Sequence, residues 1–548
     1  MKSATSFFNK TVLKKDLTRF WPVWVLTSIL FLLVVSLTNY YSPENFARRI
    51  SYTMATMFVF NLLYGWVCAM LLLGDLFRPR LCNGAHAMPL RREAFLLTHI
   101  TAGLLFFLIP NGVLCLVLSL LLQKYYVYAL MFFAVSLLQF ICFFGIAVFS
   151  ALCSGKSLGM SAVYWITLLF PELLYWFGTV FYQPRLPGIL LYEDDFLRFS
   201  PLSSGGRMCL NMGYLLDDVP TAPPVTFSNW VYLLCAAGAG ILLMGAAFLL
   251  YRRRKLECAG DFITLKPAKP IFLVLYTLSA GALLHSMANF VARTTVPFLI
   301  IGLIIGYFTG RMLLERSVRV FYKKSLIGAV IFAAVLGLTT LVIQMDPLGV
   351  ARYVPEPENV RSVTIRNPEY ESYYSYFYGS GVTLTEPEEI ARVTQMHKSL
   401  IGTDAQEAMP LIYLEYRTTG GRITRRYYRI PAGSEAFAES KFFFSQPELV
   451  LNCTSKEEFI SGTGMIEVTN LQFPAKGLEE LKNAIYQDCL DGNMVQNDLY
   501  HRTNTVVLRI YCYGSSTYNG TYFKAYSDAV NTRRVIEKYA PELLGHIQ

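Results

Sequence analysis

The chain has 548 residues, of which 54% are hydrophobic and only 16% are charged. A soluble domain carries about 25% charged residues, so this composition excludes an ordinary soluble protein. The formal charge of +10 does not indicate nucleic-acid binding, because it is confined to the hydrophobic half of the chain. Residues 1–345 carry 28 Lys and Arg against 13 Asp and Glu, whereas residues 346–548 carry 20 against 25. Basic loops beside a membrane account for that distribution.

The first nineteen residues form a basic segment ahead of the first apolar run. Leu13, Leu17, Phe20 and Trp24 recur at helical spacing, which is typical of an amphipathic helix lying in the membrane interface. A basic tail that only fixes the orientation of the chain explains the same residues equally well, so both interpretations stay open.

Nine apolar segments follow, each long enough for a membrane helix, which needs about 20 mostly apolar residues. The predicted spans are residues 20–41, 53–74, 95–122, 126–153, 158–182, 229–251, 270–291, 296–313 and 325–345. The predicted fold class is therefore an α-helical polytopic membrane protein of about nine spans. Residues 1–345 form its transmembrane domain.

The loops between these spans predict the orientation of the chain. With a cytoplasmic N-terminus, the inner segments hold 21 Lys and Arg and the outer loops hold 7, which is the bias expected of cytoplasmic loops. Nine spans then place residues 346–548 outside the cytoplasm. We therefore predict a multi-pass protein of the plasma membrane with an extracellular C-terminal domain.

Beyond residue 345 the composition becomes that of a soluble domain. Strands are predicted at residues 360–366, 463–469 and 504–513, a hairpin at 411–430, and helices at 386–400, 434–450 and 476–490. This mixture without regular βαβ order predicts an α+β domain of about 200 residues. We expect His397 and His501 to be ordinary surface residues. Cys453, Cys489 and Cys512 are compatible with one disulfide or with three thiols.

Loop 75–94, DLFRPRLCNGAHAMPLRREA, is the most informative segment between spans. It begins with a polar break at Asp75, and Pro89 suits the first turn of a helix that continues into the third span. Arg91 and Arg92 would then lie at the inner interface. A basic loop that only fixes topology explains these features equally well.

A second segment, Gly155-Lys156-Ser157, imitates the end of the nucleotide-binding loop G-x-x-x-x-G-K-[ST]. The required first glycine is Ser150 here, and a membrane helix precedes the segment in place of a soluble strand. We therefore expect no nucleotide site in this chain, so any energy from ATP must come from a partner.

Two motifs and the C-terminal half resemble permease subunits of type-2 ABC exporters. The turn MPLRR at 88–92 is similar to the LP-x-[ST]-R turn of Gram-positive members, with Arg91 in place of Ser or Thr. Residues 251–260 are similar to their Y-x-x-R-x-x-E-x-A-G segment. The matching residues there are Tyr251, Arg254, Glu257, Ala259 and Gly260. Residues 384–401 resemble a C-terminal domain of uncharacterised role that ends some of these permeases.

The resemblance implies a subunit that forms the translocation path of an exporter and docks a separate ATPase subunit. It also implies a second permease copy or homologue beside it. ATP hydrolysis would occur in the partner, so the chain itself is not expected to be an enzyme or to hold a cofactor or metal. In that family the loop between the second and third spans carries the coupling helix. Carried over, the docking candidates are Asp75, Phe77, Arg78, Arg80, Arg91 and Arg92.

Among the ionisable residues inside spans, Glu172 is the clearest, because an unpaired charge in lipid costs at least a few kcal/mol. It either lines the translocation path or is a hydrogen-bonded carboxyl at a kink after Pro171, and we favour the second interpretation. Acidic residues within loop 183–228 are a weak candidate for binding a cation. Enzyme motifs such as HExxH and G-x-S-x-G are missing from the sequence.

Two rival functions stay open at this point. One is a membrane sensor with an extracellular ligand-binding domain. The other is a membrane enzyme that acts on lipid or cell-wall precursors. Neither rival requires an ATPase partner, which distinguishes both from the exporter.

Overall fold

In the computed structural model the chain divides into two compact units. The first unit comprises Met1–Gly178 and Tyr192–Gly337, and the second comprises Thr179–Leu191 and Leu338–Gln548. The described residues are 8–38, 43–87, 90–122, 126–189, 191, 200, 202, 229–288, 295–366, 381–402, 411–431, 433–451, 453, 455–468, 471–494, 508–514, 521–525 and 528–546.

Helices dominate the described part of the chain up to residue 344. They are α1 (Lys10–Arg19), α2 (Trp21–Thr38), α3 (Pro43–Leu72), α4 (Pro79–Ala87), α5 (Arg92–Leu122), α6 (Tyr126–Cys153), α7 (Ser157–Phe177), α8 (Trp230–Arg253), α9 (Ala268–Ala288), α10 (Val296–Glu315) and α11 (Lys323–Gln344). Short turns of 3₁₀ helix lie at Gly74–Phe77, Gln183–Arg185 and Leu256–Cys258, and a π-helical turn at Gly178–Tyr182 extends α7.

Each of the nine predicted spans falls on one of these helices. Among the described residues, the seven helices α5–α11 are long and apolar enough to cross a membrane. Helices α1 and α2 meet the same criterion only as a pair, bent by 57° where they join, and the apolar part of α3 is shorter. The polytopic helical class is therefore supported, whereas the count of nine crossings and the orientation remain predictions.

Helix α6 lies at the centre of the first unit and packs against α3, α5, α7 and α8. The Phe140 ring stacks on Phe107 and on Phe144, with centroids 4.6 and 5.3 Å apart. Where α6 crosses α8, the backbones of Gly145 and Gly240 touch, because a Cβ added to Gly145 would lie 2.3 Å from the Gly240 carbonyl oxygen. Membrane helices approach this closely only where the residues are small.

Helix α1 packs against this core through one face. That face contains Leu13 and Leu17, and Phe20 and Trp24 beyond the end of α1 pack against the same core. The predicted spacing therefore holds within α1, but the chain bends before Trp24. Asn9 caps the helix by accepting hydrogen bonds from the amides of its first turn. Asp16 faces inward and lies 2.7 Å from His99 of α5, and both side chains are buried. A buried polar pair thus ties α1 to α5.

The second unit contains two four-stranded antiparallel sheets with their helices. The first group is β1 (Val360–Arg366), β2 (Gly381–Leu384), α12 (Pro387–Leu400), β3 (Leu411–Thr418), β4 (Ile423–Arg429) and α13 (Glu435–Phe444). Helices α14 (Pro447–Val450) and α15 (Lys456–Gly462) follow. The second group is β5 (Thr463–Val468), β6 (Leu471–Gln472), α16 (Leu478–Leu490), β7 (Leu508–Gly514), β8 (Thr521–Ala525) and α17 (Val530–Tyr539). These residues have the α+β architecture that the sequence predicts.

The two sheets have the same topology. Their strand orders are β2-β1-β3-β4 and β6-β5-β7-β8, and both follow the chain order strand, strand, helix, strand, strand, helix. The first strand also carries an irregularity at the same place in both, after Val360 opposite β3 and after Thr463 opposite β7. We conclude that the described elements between residues 360 and 444 and between residues 463 and 539 form an internal structural duplication, which the sequence analysis did not predict.

The two repeats fill equivalent core positions differently. By strand register, Tyr416 in the first repeat corresponds to Cys512 in the second, and Tyr428 corresponds to Ala525. The second core contains the thiols of Cys453, Cys489 and Cys512, which are buried and form no disulfide with one another. In the first core, the buried hydroxyls of Tyr416 and Tyr428 instead need hydrogen-bond partners.

Candidate functional site

Loop 75–94 consists of the turn Gly74–Phe77, helix α4 and the start of α5. Three of the six docking candidates are exposed, namely Arg78, Arg80 and Arg91. Asp75 and Arg92 are half-buried. Phe77 is buried, with 8% of its surface exposed. The predicted helical start at Pro89 lies outside the described residues, and α5 begins at Arg92.

Arg254 connects this loop to two membrane helices. It follows α8 directly, is buried, and donates from Nη1 to the Ala151 carbonyl at 3.1 Å and from Nη2 to the Leu76 carbonyl at 3.2 Å. The Ala151 carbonyl belongs to the last turn of α6, where the helix itself supplies no donor. A single guanidinium therefore caps α6 and holds the turn Gly74–Phe77, because its planar fork can donate in two directions at once.

Further contacts join the loop to the end of α8. Arg92 donates from Nη1 to the Arg254 carbonyl at 2.8 Å, and His86 of α4 lies 2.9 Å from the Tyr251 hydroxyl. Arg252 pairs with Glu93 at 2.9 Å. The two segments that carry the family resemblance, 75–94 and 251–260, are thus in direct contact. Arg92 contributes to this contact and is not simply an exposed docking charge.

The segment Gly155-Lys156-Ser157 completes the same surface. The Gly155 amide donates to the Asp261 carbonyl at 2.8 Å, and the Gly260 amide donates back to the Gly155 carbonyl at 2.7 Å. A Cβ on Gly155 would lie 2.1 Å from the Cys258 carbonyl oxygen, so only glycine allows this approach. Its amide binds backbone here, whereas a nucleotide-binding loop would turn it toward phosphate. Together, residues 74–87, 154–157 and 251–262 form what we call the loop platform.

A basic groove of about 350 Å³ opens beside the loop platform. Its cations are Arg19, Arg78 and Lys156, and its apolar lining includes Phe77 and Leu158. Asp75 also lines it and lies 4.0 Å from Arg19. Phe77 therefore contributes a wall of the groove instead of projecting from the surface. The groove suits an apolar side chain flanked by acidic groups.

Glu172 occupies a hydrogen-bonded position on α7. Its carboxylate accepts a hydrogen bond from the Ser200 hydroxyl, and the Ser200 carbonyl accepts one from the Tyr232 hydroxyl at 3.0 Å. The carboxyl is half-buried, and α7 runs through Pro171 without interruption. The contact with Ser200 is what the interpretation as a hydrogen-bonded carboxyl requires, whereas a role in the translocation path stays a prediction.

His397 in the second unit was predicted to be a surface residue, and this is wrong. It is fully buried, and its ring nitrogens lie 3.1 Å from the Tyr416 hydroxyl and 3.0 Å from the Tyr428 hydroxyl. Burial, together with the nearby positive charge of Arg426, lowers the pKa of His397 to about 3. The histidine is thus a neutral partner for two buried phenols. His501 lies outside the described residues.

This network predicts an acid-sensitive second unit. In the unfolded chain the histidine has a pKa of about 6.5. Below that pH the unfolded state binds a proton that the folded state does not bind. The free energy of unfolding is therefore highest above about pH 6.5 and decreases as the pH falls from that value toward about 3. At pH 5 the loss is about 2 kcal/mol. Hydrogen exchange of β3, β4 and α12 in the full chain, at pH 7.5 and pH 5, measures this loss. We expect His397→Gln to weaken the dependence, and an unchanged dependence would contradict the assignment.

Metal binding finds no support in the described part of the chain. No group of three or more His, Cys, Asp or Glu side chains there could hold a metal ion. The acidic residues of loop 183–228 that were predicted as a weak cation site lie outside the described residues.

Comparisons of the chain with protein-family models, with curated proteins and with solved structures returned no match. The functional argument therefore depends on the sequence motifs and on the geometry that brings them together.

Proposed function

We propose that this chain is the membrane-spanning permease subunit of an ATP-driven ABC exporter. It would act beside a second permease copy or homologue and dock a separate ATPase on the loop platform. The observation that carries the proposal is the buried Arg254, which joins the two segments resembling that family into one surface. In the plasma membrane, the loop platform would face the cytoplasm, and residues 346–548 would lie outside the cell.

The contacts of the platform suit the transmission of force. Arg254 and Arg92 connect the loop before α5 to the ends of α6 and α8, and the Gly155 backbone connects the turn before α7 to the same region. A displacement of the platform would therefore move α5, α6, α7 and α8 together. An alternating-access exporter needs such a connection, because its energy comes from outside the membrane.

The charges of loop 75–94 and of the basic groove indicate the chemistry of the partner surface. Arg78, Arg80 and Arg91 are exposed on one loop, and the basic groove adds Arg19 and Lys156. We expect the partner to present acidic side chains to these cations and an apolar side chain to the groove.

Charge reversal at two exposed positions tests this docking. Arg78→Glu combined with Arg80→Glu should reduce co-purification of the ATPase encoded nearest to this gene roughly 2- to 30-fold, because exposed ion pairs contribute about 0.2–1 kcal/mol each. Stimulation of ATP hydrolysis should fall in parallel. Both side chains are exposed, so the fold should be unaffected.

Lys398→Glu, an exposed reversal in the second unit, is the matched control and should leave recovery unchanged. Undiminished recovery of the ATPase with the double variant would remove this loop from the docking site. If no ATPase accompanies the wild-type protein, the exporter proposal fails and the sensor becomes the stronger hypothesis.

A further inference from the structure

The segment after α11 presents an apolar surface that its own unit does not cover. The end of α11 exposes Leu338, Leu341 and Val342, and the strip continues through Met345 and Leu348, which are 75% and 87% exposed. A single exposed leucine needs no explanation, but a continuous apolar strip marks an interaction surface. This strip continues a helix that is apolar enough to cross a membrane.

The turn that carries Leu348 is held rigidly. Asp346 accepts hydrogen bonds from the Val350 amide at 2.7 Å and the Ala351 amide at 3.0 Å. On the other side, the buried Arg426 donates to the carbonyls of Val350 and Tyr353 at 2.9 and 3.0 Å. Because hydrogen bonds fix this turn from both sides, Leu348 stays exposed and does not pack against its own unit.

A small basic cavity lies beside this turn. It has a volume of about 170 Å³ and is lined by Arg185 and Arg352, together with Leu186, Pro187 and Gln344. Asp346 also lines it, but both of its oxygens already accept backbone amides. Two guanidinium groups against one carboxylate give the cavity a net positive charge. It lies at the end of α11, and phospholipid phosphates lie at the ends of membrane helices.

We propose that Met345–Arg352 and Arg185 form a phospholipid-binding anchor. The Leu348 turn inserts into the apolar layer of the leaflet in which α11 ends, and Arg185 and Arg352 bind a headgroup phosphate. Guanidinium groups suit this role because their paired N–H donors match phosphate oxygens. The continuity of the strip with α11 selects a lipid as the occupant. The anchor does not depend on the exporter proposal or on which side of the membrane the second unit lies.

Photocrosslinking of the full chain tests the insertion. p-Benzoylphenylalanine at position 348, in vesicles of phosphatidylethanolamine and phosphatidylglycerol, should crosslink to phospholipid. The same group at position 490 replaces an exposed leucine of the second repeat and should not. Equal yields at both positions, or no lipid adduct at 348, would overturn the insertion.

Thermal unfolding in a neutral detergent tests the phosphate site. Added phosphatidylglycerol should raise the unfolding temperature by about 3–6 °C at roughly ten times its dissociation constant. Inorganic phosphate, which lacks the acyl chains, and diacylglycerol, which lacks the phosphate, should not raise the unfolding temperature. Arg185→Gln with Arg352→Gln should abolish the shift, whereas Arg361→Gln with Arg534→Gln, exposed arginines elsewhere in the unit, should keep it. Equal stabilisation by free phosphate, or a shift that survives in the first double variant, rejects the lipid assignment.

Discussion

Replacing Arg254 with methionine is expected to release the loop platform from the membrane helices. Methionine fills part of the volume but donates no hydrogen bond, so the carbonyls of Ala151 and Leu76 lose the donor that they share. Hydrogen bonds from charged groups contribute about 1.5–3 kcal/mol each. We therefore expect the variant to lose about 3–5 kcal/mol of local stability. Faster hydrogen exchange across residues 74–87 and the end of α6 would measure this loss.

Arg253→Met provides the matched control, because Arg253 is the preceding residue and is exposed. Its exchange pattern should equal that of the wild type. Arg254→Lys is a second test, since all the donors of an ammonium lie on one nitrogen and cannot reproduce the separate positions of Nη1 and Nη2. We expect the lysine variant to lose most of the protection as well. Unchanged exchange in both Arg254 variants would mean that the platform is held by its other contacts.

The sequence predicts which loops matter but not how they fit together. Arg252, Arg253 and Arg254 are identical residues in a row, and only the third is buried. The bond from Arg254 to Leu76 joins residues 178 positions apart. Local periodicity carries no information about such a contact. Nor did it reveal that Arg92 bonds to the backbone of that segment, because a basic residue at a helix start is usually exposed.

In the second unit, the sequence predicted longer elements such as β1 and α12 but missed the shortest strands. Strand β1 has the predicted bounds, and α12 begins one residue after its predicted start. Strands β2 and β6 have four and two residues, which is too few for an alternating pattern to be recognised. Helix α17 was missed although Thr532, Val535 and Ile536 lie buried at helical spacing.

The repeats share their topology but differ at central core positions. Tyr416 and Tyr428 of the first repeat require a buried polar partner, which His397 supplies. Their counterparts Cys512 and Ala525 have no such requirement. Such differences in core packing weaken the sequence similarity by which repeats are usually found. Strand order and the shared irregularity persist because they are properties of the backbone.

Substitution of Gly240 by alanine is expected to disrupt the packing of the first unit. The added Cβ would lie 2.5 Å from the Ile141 carbonyl oxygen and 2.7 Å from the Cys142 Cα atom. Both are backbone atoms of α6, so no side-chain rotation relieves the clash and the two helices must separate. Overpacking of a core commonly costs about 1–3 kcal/mol, occasionally more. We expect the upper part of this range, because α6 also packs against α3, α5 and α7.

Two other glycines of α8 make this experiment selective. A Cβ on Gly238 or Gly245 would meet no atom within 4 Å, so Gly238→Ala and Gly245→Ala should leave the unfolding temperature in detergent unchanged or slightly raised. Alanine lowers the free energy of a helix by about 1 kcal/mol relative to glycine, and this gain is common to all three variants. The difference between Gly240→Ala and its two controls therefore isolates the cost of separating the helices. Equal unfolding temperatures for the three variants would show that α6 and α8 do not cross at Gly145 and Gly240. A lowered temperature for Gly240→Ala alone would place the crossing there, between the two helices that Arg254 also connects.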